Sequence, residues 1–396
     1  MKPYLLSAFL LASSAAAGGA GQPWMPVAPA TPVSAPAPSL GAPLTVTVPV
    51  LPMGQAVAAP VMPQVTAPVG QVSAAERLAI TAPTGTSVTL NQTVSNMQLQ
   101  IENLQATGEL RAMLEEDGTT LSEMQNELNA MLADPEFSQL LATQTSEMTV
   151  TVGQRLPGGG VELINSTEVE LPTGEGDKTE TYTLNIIQTV EPSGAVGKVR
   201  IESDNEMLAG MFAGLDSSTL NQVGGGAESG AIYEVPLVAG SVITKTTELD
   251  FKQFLSGLMG GALSSMPGME GAEDLDPAAV QAIIDEIEAE PMRQTATTTY
   301  RGKNAQGMHV FDVHSVLQPW KMTLDLSGLE GMEDLGKLVI SMNVMDNDSS
   351  IESIYRPDGL PSSLMQSTSM RLGLSVMTDA GDASAVLNIK LASTLK

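Results

Sequence analysis

Beyond residue 73 the chain is a succession of alternating runs rich in Thr, Val, Leu and Ile. The first half carries "SVTLNQTV", "EMTVTV", "VELINSTEVEL", "TYTLNIIQTV" and "GKVRIES". The second half carries "VITKTTELD", "TATTTYRG", "MHVFDVHSVL", "KMTLDL", "KLVISMNVM", "SIESIYR", "MRLGLSVMT" and "AVLNIKLAS". A period of two built from β-branched residues is the pattern of half-buried strands. The turns "LPGGG", "DNDS", "RPDG" and "DAGD" between them supply the residues that reverse a chain, so neighbouring strands are expected to run antiparallel. In the first run Val88, Leu90 and Val94 share one phase and Met97, Leu99 and Ile101 take the other. That change of phase predicts a bulge near Ser95–Asn96.

Two helical insertions interrupt the strands. In residues 109–142, Leu121, Met124, Leu128, Met131 and Leu132 recur at helical spacing, and "TLSE" from Thr120 to Glu123 reads as a capping box. "DPEFSQLL" restarts a helix, with Asp134 as cap and Pro135 in the first turn. In residues 251–290 the segment "DPAAVQAIIDEIEAE" does the same, Asp276 capping and Val280, Ile283, Ile284 and Ile287 forming the apolar stripe. The expected fold is α+β: mainly antiparallel curved β-sheet with inserted helices, in two related β-α-β repeats. Repeat 1 covers 73–235 with its insertion at 109–142, and repeat 2 covers 236–396 with its insertion at 251–290. "PTGTSVTL" from Pro83 matches "LVAGSVIT" from Leu237, and 149–171 parallels 297–319, Gly153 pairing with Gly302 and Gly160 with Gly307. "GGGAESG" at 224–230 reads as a flexible linker between the two.

The N-terminus has the form of an export signal. Lys2 is followed by the apolar run Leu5–Leu11, and Ala15 and Ala17 have the small-residue spacing of a cleavage site, which makes residues 1–17 a signal peptide. Residues 18–72 then form a Pro/Ala/Val-rich linker holding 12 of the chain's 25 prolines, a density that removes backbone donors and favours extended polyproline II over a packed core. No later run approaches the ~20 apolar residues a membrane-spanning helix needs, so no transmembrane anchor is expected in the mature form. Cysteine is absent, which removes disulfides, thiolate metal sites and a Cys nucleophile. With 45 acidic against 18 basic residues the surface repels phosphate backbones, and nucleic acid is not an expected partner. An exported protein of the periplasm, cell envelope or extracellular space follows from these features.

Strands with helices inserted between them would place helices over one face of a curved sheet. That arrangement resembles the half-barrel carriers of bacterial envelopes, the lipoprotein-carrier type, from about residue 73 onward and in architecture alone. The resemblance implies an apolar cavity closed by a helical plug, and hence the handling of a lipid or another apolar ligand. This chain departs from many such proteins in lacking a lipid-bearing Cys.

Motifs for chemistry are sparse. Both histidines lie in "MHVFDVH": His309 shares a strand face with Phe311 and Val313, while His314 shares the other with Asp312, as a sheet-surface pair without a nucleophile elbow. "DNDSSIES" carries Asp346, Asp348 and Ser350 at calcium-loop spacing, but Ile351 stands where the loop needs Gly and Pro357 where it needs Glu, so a hairpin turn is expected there. No catalytic residue, metal ligand or cofactor is assigned, and a non-enzymatic role is expected. The 23 methionines fall mostly on apolar phases, as packing requires, although thioethers also suit monovalent copper and adaptable pockets. The uncharged stretch "FLSGLMGGALSSMPGM" at 254–269 is the candidate site. Its first part, 251–264, is expected to be a short amphipathic helix acting as a flap, with Phe254, Leu255, Leu258, Met259, Leu263 and Met266 as ligand-binding residues. The alternative is a structural or interaction protein that docks to envelope partners and holds no small molecule.

Overall fold

The computed structural model describes residues 76–115, 118–134, 146–172, 179–215, 219–220, 227–265, 277–327 and 336–396. The signal peptide and the Pro-rich linker lie outside the described residues, as does the helix restart after Asp134.

Antiparallel β-sheet dominates, and the helices are few and short. The first half holds β1 (Ser87–Ala106), α1 (Gly108–Leu114), α2 (Leu121–Leu132), β2 (Ser146–Arg155), β3 (Val161–Pro172), β4 (Thr179–Val190), β5 (Val196–Ser203) and α3 (Glu206–Ala213). Then come α4 (Ala227–Glu234), β6 (Val242–Leu249), α5 (Phe251–Ser265), α6 (Pro277–Asp285), β7 (Ile287–Ala289) and β8 (Met292–Lys303). The chain continues with β9 (His309–Leu317), β10 (Trp320–Asp325), β11 (Leu338–Tyr355), β12 (Pro361–Thr378) and β13 (Gly381–Leu395). The strands form one open sheet in the order β5-β4-β3-β2-β1-β13-β12-β11-β9-β8-β6, with β10 pairing beside β11 and β7 beside β10. The last strand therefore sits in the middle and joins the two halves, pairing with β1 on one side and β12 on the other. Among the described residues β5 and β6 are the two ends of this path, and β7 also has one strand partner, β10.

Several local expectations are corrected. "DNDS" is no turn: Asp346 and Asp348 lie inside the continuous strand β11, paired with Arg371 and Ser369, and only a register shift between Val344 and Asp346 marks the place. Flanking β-formers on both sides, "LVISMNVM" and "SIESIY", carry the strand through the polar stretch. The second part of "GGGAESG" is helical rather than linker, opening α4, because the following Ile232, Tyr233 and Val235 bury in the main core. The helix of "DPAAVQAIIDEIEAE" stops at Asp285, and Ile287–Ala289 turn into β7, where Ile287 is buried against β10. The bulge of β1 falls where the phase change puts it, between Val94 and Asn96. The capping box of α2 is complete: Thr120 Oγ1 accepts from the Glu123 N–H at 3.2 Å, and the Thr120 N–H donates to Glu123 Oε2 at 2.9 Å.

Three turn patterns occur in each half. Before β1 the Gly85 N–H donates to Val152 O at 2.8 Å and the Val152 N–H to Thr86 O at 2.9 Å; before β6 the Gly240 N–H donates to Tyr300 O at 2.8 Å and the Tyr300 N–H to Ser241 O at 3.0 Å. The β2–β3 turn closes with Leu156 N–H to Gly160 O at 2.8 Å, and the β8–β9 turn with Asn304 N–H to Met308 O at 2.9 Å. The β4–β5 turn closes with Glu191 N–H to Ala195 O at 2.8 Å, and the β11–β12 turn with Arg356 N–H to Leu360 O at 2.8 Å. By these bonds the counterpart of Gly307 is Gly159, at φ 78° and 85°, so the pairing of Gly160 with Gly307 is off by one residue. Counting from the same bonds, Gly302 stands opposite Gln154 rather than Gly153.

The main core draws on both halves at once. Val152, Val161 and Leu163 meet Tyr300, Phe311 and Tyr355, with the segments Leu78–Ala82 and Ile232–Val235 packed among them. A second cluster lies under α2 and around β10 to β13, from Ile101 and Leu132 to Trp320 and Leu372. A third, smaller one is centred on Val199, Leu215 and Leu220.

Candidate functional site

The uncharged stretch enters the fold as α5, directly after edge strand β6. Asp250 ends the strand and starts the helix, its Oδ1 accepting from the Gln253 N–H at 3.0 Å and its carbonyl from the Phe254 N–H at 2.9 Å. Lys252 Nζ donates to Asp285 O at 2.8 Å, which ties the first turn to the C-terminus of α6.

The candidate residues do not form one face toward one pocket. Phe251 packs edge-on against Trp320, ring centres 5.0 Å apart, and against Phe254 at 6.3 Å. Trp320 is buried on β10 and its indole N–H donates to Glu290 O at 2.5 Å. One turn along the helix, Phe254 and Leu258 join the third cluster with Val199, Ile201 and Phe212 of β5 and α3. Helix α5 thus links the second cluster to the third. Leu255 is half-buried, and Met259 is 37% exposed and belongs to none of the clusters. Leu263 continues the helix, its side chain outside the described residues, and Met266 lies wholly outside them.

Gly257 sets the approach of α5 to α3. A Cβ there would sit 2.8 Å from Gly214 O and 2.8 Å from Leu215 Cδ2, so the helices touch backbone to backbone where any side chain would hold them apart. In the sequence nothing marks this glycine as a helix contact. Its partner segment, "MLAGMFAGL", lies 40 or more residues upstream, and nothing local connects the two.

A cavity of about 240 Å³ opens beside β8, lined by Glu290, Pro291, Arg293, Gln318 and Pro319. These walls are mostly polar or proline, and Arg293 already pairs with Glu248 at 3.1 Å. None of the six candidate residues borders it.

The two histidines take separate roles. His309 is 4% exposed, with Nδ1 2.9 Å from Tyr300 Oη. Burial, helped by the charge of Lys303, holds its imidazole below its ordinary value and hence neutral. His314 Nε2 lies 3.1 Å from Asp348 Oδ1 across the β9–β11 pair, whereas Asp312 binds Arg301. The expected His314–Asp312 pair is therefore not formed: Arg301 of β8 holds the Asp312 carboxylate, and Asp348, diagonal to His314 on β11, reaches the ring instead. Among the described residues no group of three or more His, Asp or Glu could hold a metal ion, and no helix is long and apolar enough to cross a membrane.

No family model, curated protein or solved structure matches this chain.

Proposed function

We propose that this is an exported, non-enzymatic protein of the periplasm or cell envelope that holds a lipid or other apolar ligand between its sheet and helix α5. The observation that carries it is the placement of α5: it leaves edge strand β6, anchors Phe251 on Trp320, and lays Phe254 and Leu258 over the apolar residues of edge strand β5. A helix that bridges two edges of an open sheet is placed as a cover, and the side of α5 turned to β5 is apolar, as the cover of an apolar ligand must be. The envelope carriers that the sequence resembles are built on this principle. The same proposal takes 73–235 and 236–396 as duplicated repeats, supported by the three turns whose hydrogen bonds recur in one order.

The test is native mass spectrometry of the mature protein from its own host, with organic extraction. A reproducible lipid-sized adduct is expected, reduced in Leu258→Ala at unchanged circular dichroism. A ligand-free mass with no lipid in the extract would sink the proposal. The polar walls at Glu290–Pro319 favour a second reading, an envelope scaffold that binds protein partners and carries no small molecule.

A further inference from the structure

The two halves treat one pair of segments differently. Seven to 21 residues beyond Gly85 lies the stretch 92–106 of β1, which pairs along its length with β13. The same interval beyond Gly240 is 247–261, which leaves the sheet after Leu249 and coils into α5. Five to 19 residues beyond Gly359 lies 364–378 of β12, paired with the other side of β13. The same interval beyond Gly194 is 199–213, which leaves the sheet after Ser203 and coils into α3. A strand closes one seam of the molecule, and two helices occupy its counterpart.

The physical cause is hydrogen bonding. A strand edge needs a partner for its backbone groups, and the described strands include one β13 for two seams. At the second seam the segments satisfy their backbones internally, as helices. Each helix has its own cap, Asn205 Oδ1 accepting from the Leu208 N–H at 2.9 Å and Asp250 Oδ1 from the Gln253 N–H at 3.0 Å. The apolar contacts the two helices share belong to the smallest of the three clusters; beyond it, among the described side chains, Phe251 of α5 is tied to a larger cluster and Leu208 of α3 is 1% exposed. Regions with few buried contacts open locally before the rest of a protein does.

We propose that the gap between end strands β5 and β6 is the mouth through which an apolar ligand reaches the sheet, and that α3 and α5 are its single cover, opening together while the β13 seam stays shut. The ligand half of this rests on the function proposed above; the joint opening does not.

Hydrogen exchange on the full chain, read by mass spectrometry, tests the cover. Peptides from 206–213 and 251–260 are expected to exchange at least tenfold faster than those of β12 and β13, by local opening of roughly equal probability. Gly260→Ala adds a Cβ that meets no atom within 4 Å, so it strengthens α5 without a clash. It is expected to slow exchange about fivefold, in α3 as well as in α5. Gly257→Val drives a side chain into Gly214 and is expected to speed both. Uptake of the apolar fluorophore N-phenyl-1-naphthylamine should follow, slower in Gly260→Ala and faster in Gly257→Val. Exchange of both helices only with global unfolding, or an effect of Gly260→Ala confined to α5, overturns the cover. Uptake at rates indifferent to both substitutions overturns the mouth and leaves ligand binding standing. Joint opening without uptake in any variant overturns the mouth together with the ligand-binding function.

Discussion

Thr298 is wholly buried on β8 and its Oγ1 has no hydrogen-bond partner. A buried hydroxyl without a partner costs about 1–3 kcal/mol, so Thr298→Val, which keeps the shape, should stabilise the protein by about 1 kcal/mol in urea unfolding. His309 gives the pH counterpart. Its folded-state pKa lies below the ordinary 6.5, so the unfolded chain binds the proton first as pH falls. Stability from this site is whole above about pH 6.5 and is lost as pH drops through the folded value. His309→Gln should flatten that part of the stability profile, and an unchanged slope would assign it to other groups. These buried polar positions were only half legible. The alternation of "MHVFDVH" put His309 on an inner face, but its Tyr300 partner comes from the neighbouring strand, and Val152 and Val161 fill the equivalent places in the first half.

Elements show where local patterns suffice and where they fail. Strands, the Thr120 cap and the β1 bulge were readable because each depends on residues within a few positions. What α2 does was not. Strand β2 covers β1 only as far as Gln92, and beyond it helix α2 satisfies the bare edge with side chains. The Ile101 N–H donates to Asn129 Oδ1 at 2.7 Å, Asn129 Nδ2 donates back to Ile101 O at 2.9 Å, and the Leu104 N–H donates to Gln125 Oε1 at 3.1 Å. In sequence Gln125 and Asn129 lie at the border of the apolar stripe, and nothing local marks them as partners of a strand's backbone. Asn129→Ala should cost about 1–2 kcal/mol, since it strands the Ile101 N–H while the Ile101 carbonyl keeps a donor in Gln125. Gln125 Nε2 shares the Ile101 carbonyl at 3.0 Å, so the double variant should depart from additivity in a mutant cycle. The same blindness to distance hid α4, read as linker because its glycines and Ser are local signals while the core it fills is not.

For the molecule as a whole, β13 is the strand on which the sheet depends. Its residues Leu387 and Ile389 bury in the second cluster, and beside them Glu102 of β1 accepts from Arg371 Nη2 of β12 at 2.7 Å and from Asn388 Nδ2 of β13 at 3.0 Å. Removing residues 381–396 should abolish a single cooperative thermal transition and raise light scattering, as the edges of β1 and β12 become free to pair between molecules. The alternating pattern made β13 legible as a strand, while its place between β1 and β12 was not, because pairing order leaves no periodic trace. That placement also bears on the time order of synthesis. Ala106 pairs with Ala383 and Gln92 with Leu395, so β1 meets β13 only after nearly the whole described chain has been made. The strands β1 to β5 pair successively and have what they need early, whereas the central seam carries the largest loop-closure cost and belongs to the end of folding. Until then the growing chain displays an unfinished edge, and the interval before β13 is made is the one in which that edge can pair with another molecule.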